Sequence, residues 1–169
     1  SMGSLVAAEF SKKYSNLVDG IFLLSPPIYS PDEARDSIQE FILKKGYEKI
    51  ISEPKDSMRF VNRVIDAGVV DLSHTRLHAV EHSGKKLPSF CFAPLVEQDT
   101  FSVLSKTKIP TKIIYGAFDP VVIGKNIRKL GRINPNITTS RVLSAHDPTK
   151  SMILQVSKGI DKVLKEKNE

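Results

Sequence analysis

Three short runs of apolar and β-branched residues, each followed by a turn, constrain the fold of this chain more than any other feature. They are VDGIFLL at 18–24, TKIIY at 111–115 and TTSRVL at 138–143. The first run is almost continuously apolar, which is typical of a strand buried on both faces of a parallel sheet. Segments with helical periodicity lie between and after the runs. The order strand, helices, strand, helix, strand, helix predicts an α/β fold with a helical insertion.

Helices are predicted to flank these strands. The first fourteen residues contain a helix that places Val6, Phe10 and Tyr14 on one face. Another helix, near 122–130, is expected to end at Gly131. The last helix carries apolar residues along one side: Met152, Ile153, Val156, Ile160, Val163 and Leu164.

Residues 30–95 interrupt the alternation of strands and helices. The motif SPDE at 30–33 supplies a capping residue, a proline at the first helical position and a glutamate that closes a capping box. The helix that follows is expected to end at Gly46, and its apolar stripe is Ile38, Phe41 and Ile42. Further helices are predicted at about 56–67 and 73–82. Because no strand lies between these helices, we interpret the segment as an insertion.

The composition is that of an ordinary globular domain. Of 169 residues, 40% are hydrophobic and 26% are charged, enough for one domain with its own core. No apolar run approaches the roughly 18 residues needed to cross a bilayer, so no membrane span is expected. The first residues also lack the basic flank and apolar core typical of a secretion signal, so none is expected. The single cysteine, Cys91, has no internal disulfide partner and is interpreted as a packed or surface thiol, which favours a cytoplasmic location.

The net charge of +6 raises the question of an acidic partner. The densest basic cluster lies on the outer side of the last predicted helix: Lys158, Lys162, Lys165 and Lys167. A solvated surface is the usual role of such a face. Aromatic residues are not interleaved with the basic ones, as base stacking by a single-strand binder requires. We therefore expect no nucleic-acid partner.

Two turns that follow predicted strands each carry one residue suited to acid–base chemistry. Asp119 comes after the strand ending at Tyr115, and His146 comes after the strand ending at Leu143. Loops at the carboxyl ends of parallel strands lie at one edge of a sheet, where an aspartate can orient an imidazole and stabilise its protonated form. Each residue also has a simpler interpretation. Asp119 could begin a turn before Pro120, and His146 could be a helix-entry residue.

The opening residues fit the second half of a G-x-S-x-G turn, in which a serine occupies a sharp strand-to-helix elbow. They are Ser1, Met2 and Gly3. A glycine suits the third position because the helix must leave close to the strand. The N-terminus of that helix would also favour a developing negative charge.

These three motifs together resemble those of the α/β-hydrolases, such as carboxylesterases and monoglyceride lipases. SMGSLVA resembles the nucleophile elbow, IIYGAFDPVV the acid turn after strand seven, and SAHDPTKSM the histidine turn before the last helix. The order of serine, aspartate and histidine is also that of the family. The resemblance implies the C-terminal half of an α/β-hydrolase fold, with strands six to eight and their flanking helices. Its core portions would be 1–29 and 96–169, with a helical lid at 30–95.

The resemblance also implies a function and a site. The chain would belong to a serine hydrolase acting on small acyl esters, with Ser1 as nucleophile, Asp119 and His146 as its partners, and no cofactor. The backbone N–H of Met2 would be one oxyanion donor. The second oxyanion donor and strands one to five would precede Ser1, so we expect this chain to be poorly active alone. Removing one such donor costs roughly 100- to 1,000-fold in rate.

Two questions about the N-terminus stay open at this stage. Ser1 before Met2 is also what a cleaved purification tag leaves ahead of an initiator methionine, so a truncated reading frame is one interpretation. A longer parent with its first half removed is another. In either case the strand at 18–24 would form an apolar edge, which favours a homodimer or pairing with a separate N-terminal half. The alternative function is therefore a catalytically inactive remnant that acts as a self-associating or interaction module.

Metal binding is a weaker alternative. His74, His78 and His82 recur every fourth residue and would share one face of a helix. Two histidines spaced in this way can bind zinc. Because no cysteine lies nearby to complete a site, we favour a solvated lid surface and expect no metal.

Overall fold

The computed structural model describes residues 2–30, 38–66, 86–146 and 148–168. Its sheet has three parallel strands in the order β1 (Ile21–Leu24), β2 (Thr111–Gly116) and β3 (Ile137–Val142). The predicted α/β class with a parallel sheet is confirmed. The first strand is shorter than the predicted 18–24, because β2 begins only at Thr111, beside Ile21, and earlier residues have no strand to pair with.

Seven α-helices lie within the described residues. They are α1 (Gly3–Lys13), α2 (Ile38–Ser52), α3 (Pro54–Asp66), α4 (Lys86–Val96), α5 (Thr100–Lys106), α6 (Gly124–Ile133) and α7 (Lys150–Asn168). None of them is both long enough and apolar enough to span a bilayer.

The chain divides into two compact units, 1–36 with 98–169 and 37–97. The second unit consists of α2, α3 and α4. Within it the rings of Tyr47 and Phe92 stack with centroids 5.6 Å apart, joining α2 to α4. Its role as a lid stays a prediction.

The first unit contains the sheet with helices on both faces. Alternate strand residues, such as Leu23 and Ile113, share one buried cluster with residues of α1, α5 and α6. The opposite face packs against α7, where a Cβ on Gly159 would overlap the ring of Phe22. The sheet is thus covered by helices on both sides, as parallel sheets require.

Two glycines do not end helices as the sequence predicted. α2 continues through Gly46 to Ser52, since nothing surrounds Gly46 closely and its cost inside a helix is only about 1 kcal/mol. α6 continues through Gly131 to Ile133. There the missing side chain lets Thr139 approach, with its Cγ2 3.0 Å from the position of a Cβ.

The buried sides of α1 and α7 differ from the predicted apolar faces, since α1 buries Leu5 and Ala8 and exposes Val6 and Phe10. α7 contacts β1 where Gly159 lies against the ring of Phe22, and Val163 lies against Gly20, just before that strand. Met152, on the same side of the helix, is fully buried. Ile153 and Ile160, one step around the helix, are exposed. Two helices, α4 and α5, were not predicted from the periodicity of the sequence. The helix predicted at 73–82 lies outside the described residues.

Candidate active site

The carboxyl edge of the sheet brings together the two residues expected to perform acid–base chemistry. Asp119 lies in the turn after β2, and His146 follows β3. The two strands are parallel neighbours, paired from Thr111 with Ile137 to Gly116 with Val142. Both loops therefore start from the same edge.

The side chains of Asp119 and His146 are in direct hydrogen-bond contact. His146 Nδ1 lies 2.8 Å from Asp119 Oδ2 and 3.0 Å from Oδ1. The aspartate side chain is fully buried, whereas 17% of the histidine side chain is exposed. The predicted contact is confirmed, and the imidazole is the member of the pair that faces solvent.

The turn itself holds the carboxylate in place. Asp119 Oδ1 accepts hydrogen bonds from the backbone N–H groups of Val121 (2.9 Å) and Val122 (3.2 Å). The expectation that Asp119 begins a turn is therefore also correct, and the turn supports the contact with His146. Sequence reasoning did not identify these two donors, although an aspartate before a proline is a signal for such bonds.

Competing effects set the pKa of Asp119. Burial opposes ionisation and by itself would raise the pKa, but the hydrogen bond and charge of His146 and the two backbone N–H groups outweigh it. The pKa of Asp119 consequently lies below its ordinary value of 3.8. Because an ionised carboxylate can only accept hydrogen bonds, Nδ1 of His146 carries the proton of the shared bond. In the neutral imidazole, Nε2 is then the basic nitrogen.

The backbones of the two loops are packed against each other. A Cβ on Gly116, the last residue of β2, would overlap the carbonyl oxygens of Ser144 and Ala145. The N–H of Ala117 donates to the carbonyl of Val142 at 2.7 Å, and that of Phe118 donates to Ser144 at 3.0 Å. Gly116 thus permits a close approach that fixes the histidine loop beside the aspartate turn.

Several solved structures are similar to this chain. A thermophilic esterase from Thermogutta terrifontis matches with a TM-score of 0.56 and 17% identity, over 98% of this chain and 62% of its own. An enol-lactonase from Burkholderia xenovorans gives 0.62 and 14%, over 98% and 63%. An epoxide hydrolase from Bacillus megaterium gives 0.58 and 18%, over 98% and 67%. All three are α/β-hydrolase fold members.

This chain has the α/β-hydrolase fold. It spans less than two thirds of the length of the esterase and the enol-lactonase. No protein-family model matches the sequence, and no curated protein matches it either.

The predicted nucleophile turn is only partly described. Ser1 lies outside the described residues, whereas Met2 adjoins the first turn of α1. The C-terminus of α1 leads within a few residues to the start of β1, and its 11 residues extend about 16 Å back along the sheet. The N-terminus of α1 therefore lies toward the carboxyl edge, the same edge of the α/β-hydrolase fold that carries Asp119 and His146.

A further residue at this edge was not identified from the sequence. Ser25, directly after β1, has a φ of 44°, a left-handed conformation that costs a non-glycine residue about 1 kcal/mol. Its side chain is buried, and its hydroxyl has no hydrogen-bond partner among the described residues. Pro26, which disfavours a right-handed helical conformation at Ser25, was the available signal. Strained backbone and unsatisfied buried polar groups are found more often at active sites than elsewhere, so Ser25 is a candidate site residue.

The described residues contain no group of three or more histidine, cysteine, aspartate or glutamate side chains that could hold a metal ion. His74, His78 and His82 lie outside those residues.

Proposed function

We propose that this chain carries the acid and histidine of a serine hydrolase that cleaves esters of small acyl compounds. The observation that best supports the proposal is the 2.8 Å contact between His146 Nδ1 and Asp119 Oδ2 at the carboxyl edge of the sheet. The α/β-hydrolase fold also supports the proposal, since two structural neighbours with this fold are named as an esterase and an enol-lactonase.

In the proposed mechanism His146 first acts as a general base. Its Nε2 takes the proton from the hydroxyl of Ser1 as the serine oxygen attacks the ester carbonyl carbon. The carbonyl oxygen becomes negatively charged, and the N–H of Met2 donates a hydrogen bond to it. The imidazolium then returns its proton to the departing alcohol, which leaves an acyl group on the serine. Attack by water, with the same nitrogen as base, releases the acid and restores the serine.

Asp119 acts through His146 in this scheme. Its carboxylate holds Nδ1 as the protonated nitrogen, so that Nε2 has the lone pair needed for proton transfer. It also stabilises the positive charge that the imidazole acquires. In serine proteases the aspartate-to-asparagine change lowers kcat about 10⁴-fold, chiefly by selecting the wrong tautomer.

The alternative is a remnant of a hydrolase that is catalytically inactive and works by association. Exposed apolar residues on α1 favour it: Val6, Phe10 and Tyr14 all lie on the surface of the described structure. A surface of this kind is typical of a docking site. The two proposals make different predictions for covalent chemistry at Ser1.

Covalent labelling by a fluorophosphonate separates the two proposals. If the chain is a hydrolase, intact-mass spectrometry should detect a slowly formed adduct on the 169-residue polypeptide, and peptide mapping should locate it at Ser1. The adduct should be lost in His146→Ala and retained in the matched control His78→Ala. An unlabelled wild-type chain would support the remnant.

Steady-state turnover is a separate readout. We expect the polypeptide assayed by itself not to turn over a p-nitrophenyl ester measurably, because it supplies one of the two expected oxyanion donors and each is worth roughly 100- to 1,000-fold. Turnover that disappears in His146→Ala would contradict this expectation and establish the chain as an active esterase.

A further inference from the structure

A cavity of about 440 Å³ opens at the other end of the first unit. It is bordered by the C-terminal part of α1, by α5 and by the residues that lead into β2, including Ile109. Because Ile109 lies just before Thr111, the first residue of β2, the cavity is at the amino edge of the sheet. Asp119 and His146 are at the carboxyl edge, so the two sites are separate.

The walls of the cavity are basic. Lys12, Lys106 and Lys108 line it, against a single lining carboxylate, Asp99. Lys12 is paired with Asp99 at 3.5 Å and with Glu9 at 3.7 Å. Within the part of the chain that the structure describes, neither Lys106 nor Lys108 forms an ion pair. Two cationic groups are therefore available to a ligand.

Helix dipoles reduce this positive potential without reversing it. α1 and α5 both end at the cavity, and the C-terminus of a helix carries a partial negative charge of about one half. At α5 part of that charge is already satisfied, because the side-chain amide of Asn134 donates to the carbonyls of Leu104 (2.8 Å) and Thr107 (2.9 Å). The lining side chains, three lysines and one aspartate, carry a net charge of +2, which exceeds the sum of the two half charges at the helix ends.

Hydroxyl and apolar groups complete the lining. Ser15, Ser102 and Thr107 bring hydroxyl groups to the walls, and Val103 and Ile109 supply a buried apolar surface. A cavity of this volume is in the range that small-molecule sites occupy, roughly 300–1,000 Å³. Two cations and several hydroxyls match the charge and acceptor oxygens of a phosphate dianion, and the apolar surface matches a small organic group.

We propose that this cavity binds a phosphate monoester of a small organic molecule. Lys106 and Lys108 hold the dianionic phosphate, the hydroxyl groups donate to its oxygens, and the organic group lies on Val103 and Ile109. The site is independent of the proposed hydrolase chemistry, since it uses none of the residues at the carboxyl edge.

Phenyl phosphate is a suitable probe, with binding followed by calorimetry and by the backbone amide spectrum. We expect saturable one-to-one binding, with shifts at residues 102–109, and weaker binding of inorganic phosphate, which has no apolar part. The variant Lys106→Gln/Lys108→Gln should weaken phenyl phosphate by about tenfold or more, since two charge-assisted hydrogen bonds are lost.

The matched control is Lys125→Gln/Lys150→Gln, which removes the same charge from exposed positions in the first turns of α6 and α7, at the carboxyl edge of the sheet and one strand length of roughly 20 Å from the cavity. It should change the affinity by less than about twofold, because charges beyond a Debye length are screened. Equal weakening in both double variants, or shifts centred on His146, would overturn the proposal. So would the absence of saturation, or equal affinity for inorganic phosphate. Circular dichroism of both variants establishes that each is folded.

Discussion

Gly116 lies so close to Ser144 that a side-chain carbon at position 116 would overlap the Ser144 carbonyl oxygen. The contact joins the strand that precedes the aspartate turn to the loop that carries the histidine. Gly116→Ala should push this loop away and cost about 1–3 kcal/mol of folding free energy, as overpacking of a close contact usually does. Urea unfolding measures the cost, and the imidazole resonances of His146 report the loss of its contact with Asp119.

Gly46→Ala is the control for that experiment. Gly46 lies inside α2 with nothing within 4 Å of an added Cβ, so the change should stabilise the chain by about 0.5–1 kcal/mol. The two substitutions should change the free energy of unfolding in opposite directions, and the sizes of the two changes need not match. A Gly116→Ala variant as stable as the wild type, with an unchanged His146 spectrum, would contradict the close packing.

Asp119 should make the stability of the fold sensitive to acid. Its pKa in the folded state is below the ordinary value of 3.8, so its stabilising contribution is complete above that value and is lost as the pH falls through the folded pKa. Asp119→Asn should therefore cost about 1–3 kcal/mol at pH 7 and flatten the decline of stability below about pH 4. Urea unfolding from pH 7 to pH 3 measures both effects.

Asp161→Asn is the matched comparison, since Asp161 is exposed on α7. It should change the stability by less than about 0.5 kcal/mol at any pH in this range. If the two variants show the same acid profile, Asp119 is not the group responsible.

Ser25 should be a position where a substitution stabilises the fold. Ser25→Gly removes both the left-handed strain of a φ of 44° and the buried hydroxyl that has no partner among the described residues. The gain should be about 1 kcal/mol after the greater backbone entropy of glycine in the unfolded chain is subtracted. Thermal unfolding measures it. A destabilised Ser25→Gly variant would mean that the hydroxyl has a stabilising contact that offsets both costs.

The chain is expected to self-associate. β1 is an edge strand of the described sheet, and α1 exposes Val6 and Phe10 to solvent by 69% and 49%. Two copies could pair these surfaces about a two-fold axis, and a stable dimer would bury more than about 1,000 Å². Light scattering should give a mass well above the 18.8 kDa of one chain at micromolar concentration.

Phe10→Lys should shift that mass toward the monomer, because it places a charge within the proposed interface. Leu143→Lys, at an exposed position after β3, is the control and should leave the mass unchanged. A wild-type chain that is monomeric would refute the interface directly.

The strands could be predicted from the sequence because their signal is local. An apolar run such as Ile21–Leu24, bounded by a turn, needs no knowledge of its partners to be interpreted. The ends of helices were harder. Gly46 and Gly131 both look like stop signals, yet one is tolerated in open surroundings and the other makes room for Thr139. Whether a glycine ends a helix or makes room for a neighbouring side chain depends on residues distant in the sequence. The periodicity of the local sequence carries no information about those residues.

The same distinction applies to the site. Asp119 and His146 could be predicted to meet because each follows a strand and the strands are parallel neighbours. The conformation of Ser25 and the overlap that forbids a side chain at Gly116 arise only when loops from different strands pack together. A sequence motif indicates which groups are present, and tertiary contacts determine how each is held.

The pairing of Gly116 with Val142 has a consequence for how this site could change in evolution. Registers between strands are discrete, and a slip by one residue moves a loop by about 3.3 Å and turns every side chain to the other face. The distance between the histidine and the aspartate therefore cannot be adjusted gradually by sliding β3 along β2. Changes in this distance must come from the turns, by insertions or substitutions at 117–123 and 143–149. The register of the strands stays constant.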